Sequence, residues 1–243
     1  MTATKANIIS ALRKDILSLQ GIRHDSNNSR LDKTIGILKN AFPDNSFPIG
    51  VMHEFIVESA EDAVVTNAFV ASIVNHLMLD YGPVIWIGNN TVVFPPALKA
   101  FGIAPEKIIF IELKKEKEML WVIEEALKCE GLAAVIGEIK ELSFTQSRRL
   151  QLAVEKSKVT GFIIRNNPRV MNITACVTRW KITSLPGENV GHLPGVSFPR
   201  WNVELLKVRN GKSGAWQIEY SAGRFRYNHK IAAIPQQLQL KTG

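Results

Sequence analysis

Between residues 47 and 67 the chain reads as a Pro-x-Gly turn, an apolar run over 51–57, a polar bend, and a long apolar-periodic helix opening near Asp62. That is the strand–loop–helix layout of a P-loop nucleotide site. A working P-loop needs glycines, so that backbone N–H groups can wrap the phosphates, and a lysine for the β- and γ-phosphates. The bend here has neither. It carries Glu58, Glu61 and Asp62, whose charges repel phosphate. The layout is kept and the phosphate chemistry is missing.

The rest of the chain repeats the strand–helix theme. Apolar runs at 84–87, 107–113, 132–136 and 159–164 alternate with helical patterns at 96–101, 116–129 and 143–156. Short β-branched runs suit parallel strands buried on both faces, and the alternation argues an α/β fold. Ser143 is placed to cap the helix that follows it. Two helices precede the core: residues 5–20 with Ile8, Leu12, Ile16 and Leu19 in register, and residues 31–42 with Leu31, Ile35, Leu38 and Ala41. After Arg165 the texture changes. A strand over 175–182 and a Gly/Pro-rich loop over 183–199 lead to strands at 201–208 and 215–220, set around the turn Asn210-Gly211-Lys212-Ser213-Gly214. Residues 221–243 lack periodicity and read as a mobile tail.

Composition narrows the function. The net charge is +8 and the pI about 9.5, which fits either an acidic partner such as nucleic acid or a merely basic soluble protein. Cys129 and Cys176 have no motif spacing, and two thiols in 243 residues suit a reducing, cytoplasmic setting. Residues 1–20 lack a signal-peptide apolar run, and no apolar stretch reads as a membrane span. No Ser/His/Asp or Cys/His set, metal-ligand spacing or cofactor fingerprint stands out. His53-Glu54 is half of a zinc-protease motif whose second histidine would fall at Val57, so the two residues read as a structural hydrogen-bonded pair.

Basic residues gather late in the chain. Arg200, Lys207, Arg209, Lys212, Arg224 and Arg226 are the candidate DNA-binding residues, interleaved with Trp201, Trp216, Tyr220, Phe225 and Tyr227. Cations mixed with aromatics can follow a single strand and stack its bases. The alternative is a hairpin core of aromatics with a solvated charged face.

Seven stretches in one order carry a family resemblance. They are Pro48-x-Gly50-x-x-His53-Glu54, Gly82-Pro83-Val84-Ile85-Trp86-Ile87, Leu120-Trp121-x-x-Glu124-Glu125-Ala126-Leu127, Ser147-Arg148-Arg149-Leu150-Gln151-Leu152-Ala153, Thr160-Gly161-Phe162, Thr178-Arg179-Trp180, and Pro199-Arg200-Trp201-Asn202-Val203-Glu204-Leu205-Leu206. The set resembles the ImuA family, RecA/SulA-like accessory proteins of bacterial error-prone repair. The resemblance implies a RecA-like α/β core, with a mostly parallel sheet flanked by helices, over residues 46–182. A helical arm over 1–45 precedes it. A loop and C-terminal β-hairpin region over 183–220 and the tail over 221–243 complete the chain.

Carried onto this chain, the glycine before the P-loop lysine falls near Ala63 and the lysine near Val64. The metal-binding hydroxyl falls near Val65, with Thr66 one residue away. The water-activating glutamate falls at Asn89 or Asn90, and the metal aspartate at Gly137, with Glu138 adjacent. The function implied is non-catalytic, in SOS-induced translesion DNA synthesis. The implied partners are an ImuB-type inactive Y-family polymerase subunit, an error-prone replicative-type DNA polymerase, RecA and single-stranded DNA. Two alternatives stay open: a RecA-like DNA-dependent ATPase with a slipped nucleotide site, and a SulA-like cell-division inhibitor.

Overall fold

The computed structural model describes residues 29–89, 95–186 and 198–227. Its centre is the strand Met52–Val57 (β1), buried along its whole length. The entry turn is fixed by Asp32, whose carboxylate accepts from the Ser46 hydroxyl and, at 3.1 Å, from the Phe47 amide. Ser59 then caps the helix Ala60–Tyr81 (α2), its hydroxyl accepting from the Asp62 amide at 3.1 Å. Glu61 and Asp62 in the first turn favour the helix N-terminus electrostatically. The helix stops at Gly82, where φ is 118° and a Cβ would stand 2.8 Å from the Gly131 carbonyl, so the stop is written into the sequence. This helix alone among the described ones is long and apolar enough to cross a membrane. Its apolar side chains are spent on the core, where Phe69, Val70, Ile73 and Val74 are essentially inaccessible.

The strands Val84–Gly88 (β2), Ile108–Glu112 (β3), Ala134–Ile139 (β4) and Thr160–Asn166 (β5) confirm the four runs read as parallel strands. Thr178–Leu185 (β6) is also parallel to β1. Arg200–Val208 (β7), Gly214–Ser221 (β8) and Arg224–Tyr227 (β9) come next, antiparallel. The nine form one sheet in the order β3-β2-β4-β5-β1-β6-β7-β8-β9. The α/β class, mostly parallel and flanked by helices, stands as expected.

One face of the sheet packs against α2 and the helix Ser29–Ile35 (α1). Phe55, Trp86, Phe162, Trp180, Trp201, Val203, Ile218 and Phe225 form a single core there with Phe69, Leu31 and Ile35. The short Pro95–Phe101 segment is a 3-10 helix against α2. The other face, at β2, β4, β5 and β1, is covered by Glu116–Leu127 (α3) and Phe144–Ser157 (α4), through Met119, Ile123, Leu150 and Val154. The predicted cap on α4 is present as a full capping box. Gln146 N donates to Ser143 Oγ, and the Gln146 side chain accepts from the Ser143 amide.

Three sequence expectations differ from the structure. Residues 29–41, within the helical arm expected over 1–45, are part of the core: Leu31, Ile35 and Leu38 are buried, and α1 packs on α2 and β9. The helix expected over 5–20 lies outside the described residues. Strand β4 runs three residues past the apolar run, through Gly137 and Glu138. Gly137 belongs in it because a Cβ there would sit 2.3 Å from Ile123 Cδ1, so only glycine lets α3 close on the sheet. Finally, the segment read as a tail begins with β9. Phe225 is buried and stacks on Phe69 at 5.0 Å with the rings 4° apart. The turn into β9 is Ala222-Gly223, both at positive φ. That geometry suits a two-residue hairpin, but alanine hides it from sequence reading. Residues 228–243, the remainder of that expected tail, lie outside the described residues.

Candidate functional site

The loop between β1 and α2 presents no group arranged for phosphate. Glu58 is paired with Lys181 at 2.6 Å. Ser59 is committed to its cap; Glu61 is exposed and Asp62 half-buried at the helix mouth. Val64, in the lysine's place, is 57% exposed and cannot hold an anion. Thr66 lies wholly inside, one turn down, facing away from the mouth. A helix N-terminus attracts anions through its free N–H groups and dipole; three carboxylates here occupy that field.

The position matched to the metal aspartate is similarly internal. Gly137 faces α3. Glu138 points to the opposite face, where its carboxylate accepts from Trp86 Nε1 at 2.6 Å. Burial pushes its pKa upward, against the pull of hydrogen bonds from Trp86 and Asn166. Asn89 is exposed at the end of β2, and Asn90 lies outside the described residues.

His53 and Glu54 do not bond to one another, which corrects their reading as a pair. They are adjacent on β1 and so point to opposite faces. His53 is sandwiched between Phe47 and Phe162. Its Nε2 lies 2.9 Å from the Pro48 carbonyl, which can only accept, so Nε2 carries the proton and Nδ1 accepts from Thr178 Oγ1. Burial pushes its pKa down to about 3, only partly opposed by the bond to Pro48. It is a neutral core histidine.

Glu54 is the centre of a buried ionic cluster. It accepts from Arg165 Nη1 at 3.0 Å, Arg179 Nε at 2.8 Å and Thr174 Oγ1 at 2.7 Å. Arg165, completely buried, also donates to the Val170 carbonyl at 2.9 Å and meets Glu141 at 3.3 Å. Two buried charges hold only with partners of this quality. Cys176 lies beside the cluster. Burial, with Glu54 adding, pushes its thiol up to about 12, so it is a core side chain rather than a nucleophile.

The six candidate DNA-binding cations divide into two groups. Arg200, Arg224 and Arg226 lie on the face of β7 and β9 opposite the core. Arg200 and Arg226 both stand next to Glu219 across the ladder. Lys207 is seven residues along β7 from Arg200, roughly 23 Å away at strand spacing. Its Nζ donates to the Thr174 carbonyl at 2.7 Å, and Arg209 donates to the Ala175 carbonyl at 3.2 Å. Lys212 is exposed in the β7–β8 turn. Lys207 and Arg209 therefore hold chain segments together as well as carrying charge. Burial lowers the pKa of Lys207, and the neighbouring Arg179 and Arg209 add to that.

Strand alternation also separates the cations from the aromatics. Trp201, Tyr220 and Phe225 face α2 in the core, while Arg200, Arg224 and Arg226 face the other way. Base stacking on those three rings is closed off. What the β6–β9 half of this face presents, among the described residues, is Lys181, Thr183, Arg200, Asn202, Gln217, Arg224 and Arg226, set against Glu204 and Glu219. The covering helices α3 and α4 pack over β2, β4 and β1 instead.

The chain is 30% identical over 196 residues to Protein ImuA of Caulobacter vibrioides, in strains NA1000/CB15N and ATCC 19089/CIP 103742/CB 15. The alignment covers 75% of this chain and 80% of the relative. The chain belongs to the ImuA family. No family model matches it. Among solved structures, SulA from Pseudomonas aeruginosa superimposes with a TM-score of 0.41 at 19% identity, covering 47% of this chain and 97% of that one. Membership in the ImuA family supports a DNA-damage-related accessory role.

For this ImuA-family chain, the sequence drew attention to Glu54 only through its histidine neighbour. The missed signal was a carboxylate inside a strand apolar on both faces. Such a group must find a buried donor, and Arg165 and Arg179, legible in the sequence only as basic residues, are the partners.

Proposed function

We propose that this protein is a non-catalytic accessory factor of SOS-induced, error-prone translesion DNA synthesis. It works by surface contact with an ImuB-type inactive Y-family polymerase subunit and an error-prone replicative-type DNA polymerase. RecA and single-stranded DNA are further candidate partners. Family membership supports the pathway. The observation that carries the non-catalytic part is the mouth of α2, with Val64 where a lysine would be needed and Glu58, Glu61 and Asp62 around it. Loss of that lysine alone removes a charge-assisted contact of roughly 1.5–3 kcal/mol. The test has two arms. Phosphate release from ATP, with and without single-stranded DNA, should stay at background; turnover above it, abolished by Glu138→Ala, overturns the non-catalytic reading. In a strain lacking the gene, damage-induced mutation frequency should fall and return when the chain is restored. An unchanged frequency overturns the pathway.

The open sheet face is the surface proposed to meet single-stranded DNA, weakly and without sequence preference. Its contacts are to phosphates rather than to bases stacked on Trp201, Tyr220 or Phe225, since those three rings are buried. Counterion release makes affinity fall by about 0.7 log units per log unit of salt for each phosphate held. The triple variant Arg200→Glu, Arg224→Glu, Arg226→Glu is expected to bind a labelled oligonucleotide at least tenfold more weakly, on the order of 1.4 kcal/mol. Fluorescence anisotropy at low and moderate salt measures this. Equal binding by a folded triple variant removes the assignment. Lys207→Glu with Arg209→Glu is the less informative pair, because both side chains also brace the backbone.

A further inference from the structure

The connection from β5 to β6, residues 167–177, returns across the sheet between the start of α4 and the end of β7. It is an extended segment without a helix of its own. Its polar backbone groups are taken up from beneath. Arg165 donates to the Val170 carbonyl, Arg179 to that of Asn172, Lys207 to that of Thr174 and Arg209 to that of Ala175. The Ala175 amide donates to Ser147 Oγ at 2.9 Å, and the Arg169 amide to Glu141 at 2.8 Å.

The first half of this segment turns its apolar side chains outward, while Ala175, Cys176 and Val177 are buried. Val170 is 57% exposed, Met171 50% and Ile173 78%. Phe144 flanks them on the α4 side, where Asn172 donates to the Leu142 carbonyl. Leu206, in the strand beside Lys207, flanks them on the other; both are exposed. Contiguous exposed apolar patches on a soluble domain mark interaction surfaces. The charges around this one are mostly basic. Arg169 adjoins Val170, Arg148 stands one turn along α4 from Phe144, and Lys207 and Arg209 stand beside Ile173. Of the acidic groups nearby, Glu54 is buried with two arginines, Glu141 is half-exposed but bound to Arg165 and the Arg169 amide, and Glu155 pairs with Arg148 at 3.4 Å.

We infer that the β5–β6 crossover is a docking ridge for a protein segment that combines apolar side chains with an excess of Asp and Glu. The apolar residues supply the contact area, and the basic rim selects the sign of charge. Backbone already fixed by side-chain hydrogen bonds loses little conformational freedom on binding, which favours affinity. A nucleic acid would be drawn to the rim but would leave the apolar ridge uncovered, so a polypeptide fits better. This ridge is separate from the open face of Arg200, Arg224 and Arg226, and it does not depend on the proposed pathway.

The test is selection of a displayed library of random 16-residue peptides on the full-length folded protein, with the variant Met171→Ser, Ile173→Ser as counter-target. Both substitutions are at exposed positions, and thermal unfolding checks that the variant folds. Enriched peptides should carry several Leu, Phe, Ile or Trp and net negative charge, and their synthetic forms should bind the variant at least tenfold more weakly. A second variant, Arg148→Glu with Arg169→Glu, should lose the acidic preference while keeping the apolar one. No peptide separating parent from variant, enrichment of neutral or basic peptides, or displacement of the selected peptides by a single-stranded oligonucleotide in a manner set by Met171 and Ile173 would each overturn the proposal.

Discussion

Arg165→Ala is expected to lower the stability of this protein by about 3–5 kcal/mol, the range for breaking a buried ion pair by removing one partner. The guanidinium has no exposed surface and holds Glu54, Glu141 and the Val170 carbonyl together. Removing it leaves the buried Glu54 carboxylate with Arg179 and Thr174 only and strips a donor from the crossover. Glu54→Leu in the same background should recover part of the loss, since an apolar side chain ends the uncompensated charge. It cannot recover all of it, because the Val170 carbonyl remains without its donor. Urea unfolding of the parent, both single variants and the double variant measures the coupling directly. If Arg165→Ala unfolds at the parent's urea midpoint, the cluster contributes nothing to stability and this account of it is wrong.

The second large effect concerns β9. Phe225→Ala removes a ring in contact with Phe69, Trp201 and Tyr220, at centroid distances of 5.0, 5.8 and 5.5 Å. Truncating a buried phenylalanine costs about 3–5 kcal/mol through lost burial and the cavity left behind. Two truncations separate the contribution of β9 from that of residues 228–243. A chain ending at Tyr227 keeps the strand, and one ending at Ser221 loses it, exposing the β8 edge and the packing of α1. The shorter chain is expected to melt many degrees below the longer one. Equal melting temperatures would show that the sheet is complete at β8.

What the sequence made legible was local. The run into β1 and the cap at Ser143 each depend on a few neighbouring residues, and each is present where expected. The alternation of apolar runs and helices carried the α/β class. What stayed hidden depends on distance along the chain. Glu54 meets Arg165 across 111 positions and Arg179 across 125, and no spacing rule links them. Lys207 and Arg209 looked like free strand-face charges because the crossover they brace is remote in sequence. Strand β9 was hidden for the opposite reason: four residues, Arg-Phe-Arg-Tyr, are too few to register as a period. At the β1–α2 loop the sequence showed which groups were absent. It could not show that Thr66 and Glu138 are turned into the interior.

The position of β1 also sets a timetable for synthesis. The strand lies between β5 and β6, and its partners span residues 161–166 and 178–181. Until the ribosome has added more than a hundred further residues, the first core strand of the chain has both edges bare. At roughly 5–20 residues per second, that wait is on the order of ten seconds. During it, the apolar run ending at Val57 lacks both of its partner strands, although β3, β2 and β4 can already pair with one another. Pairing at such separations is slow even in the finished chain. A message truncated before residue 178 yields a product whose central strand lacks its β6 partner and keeps one edge bare.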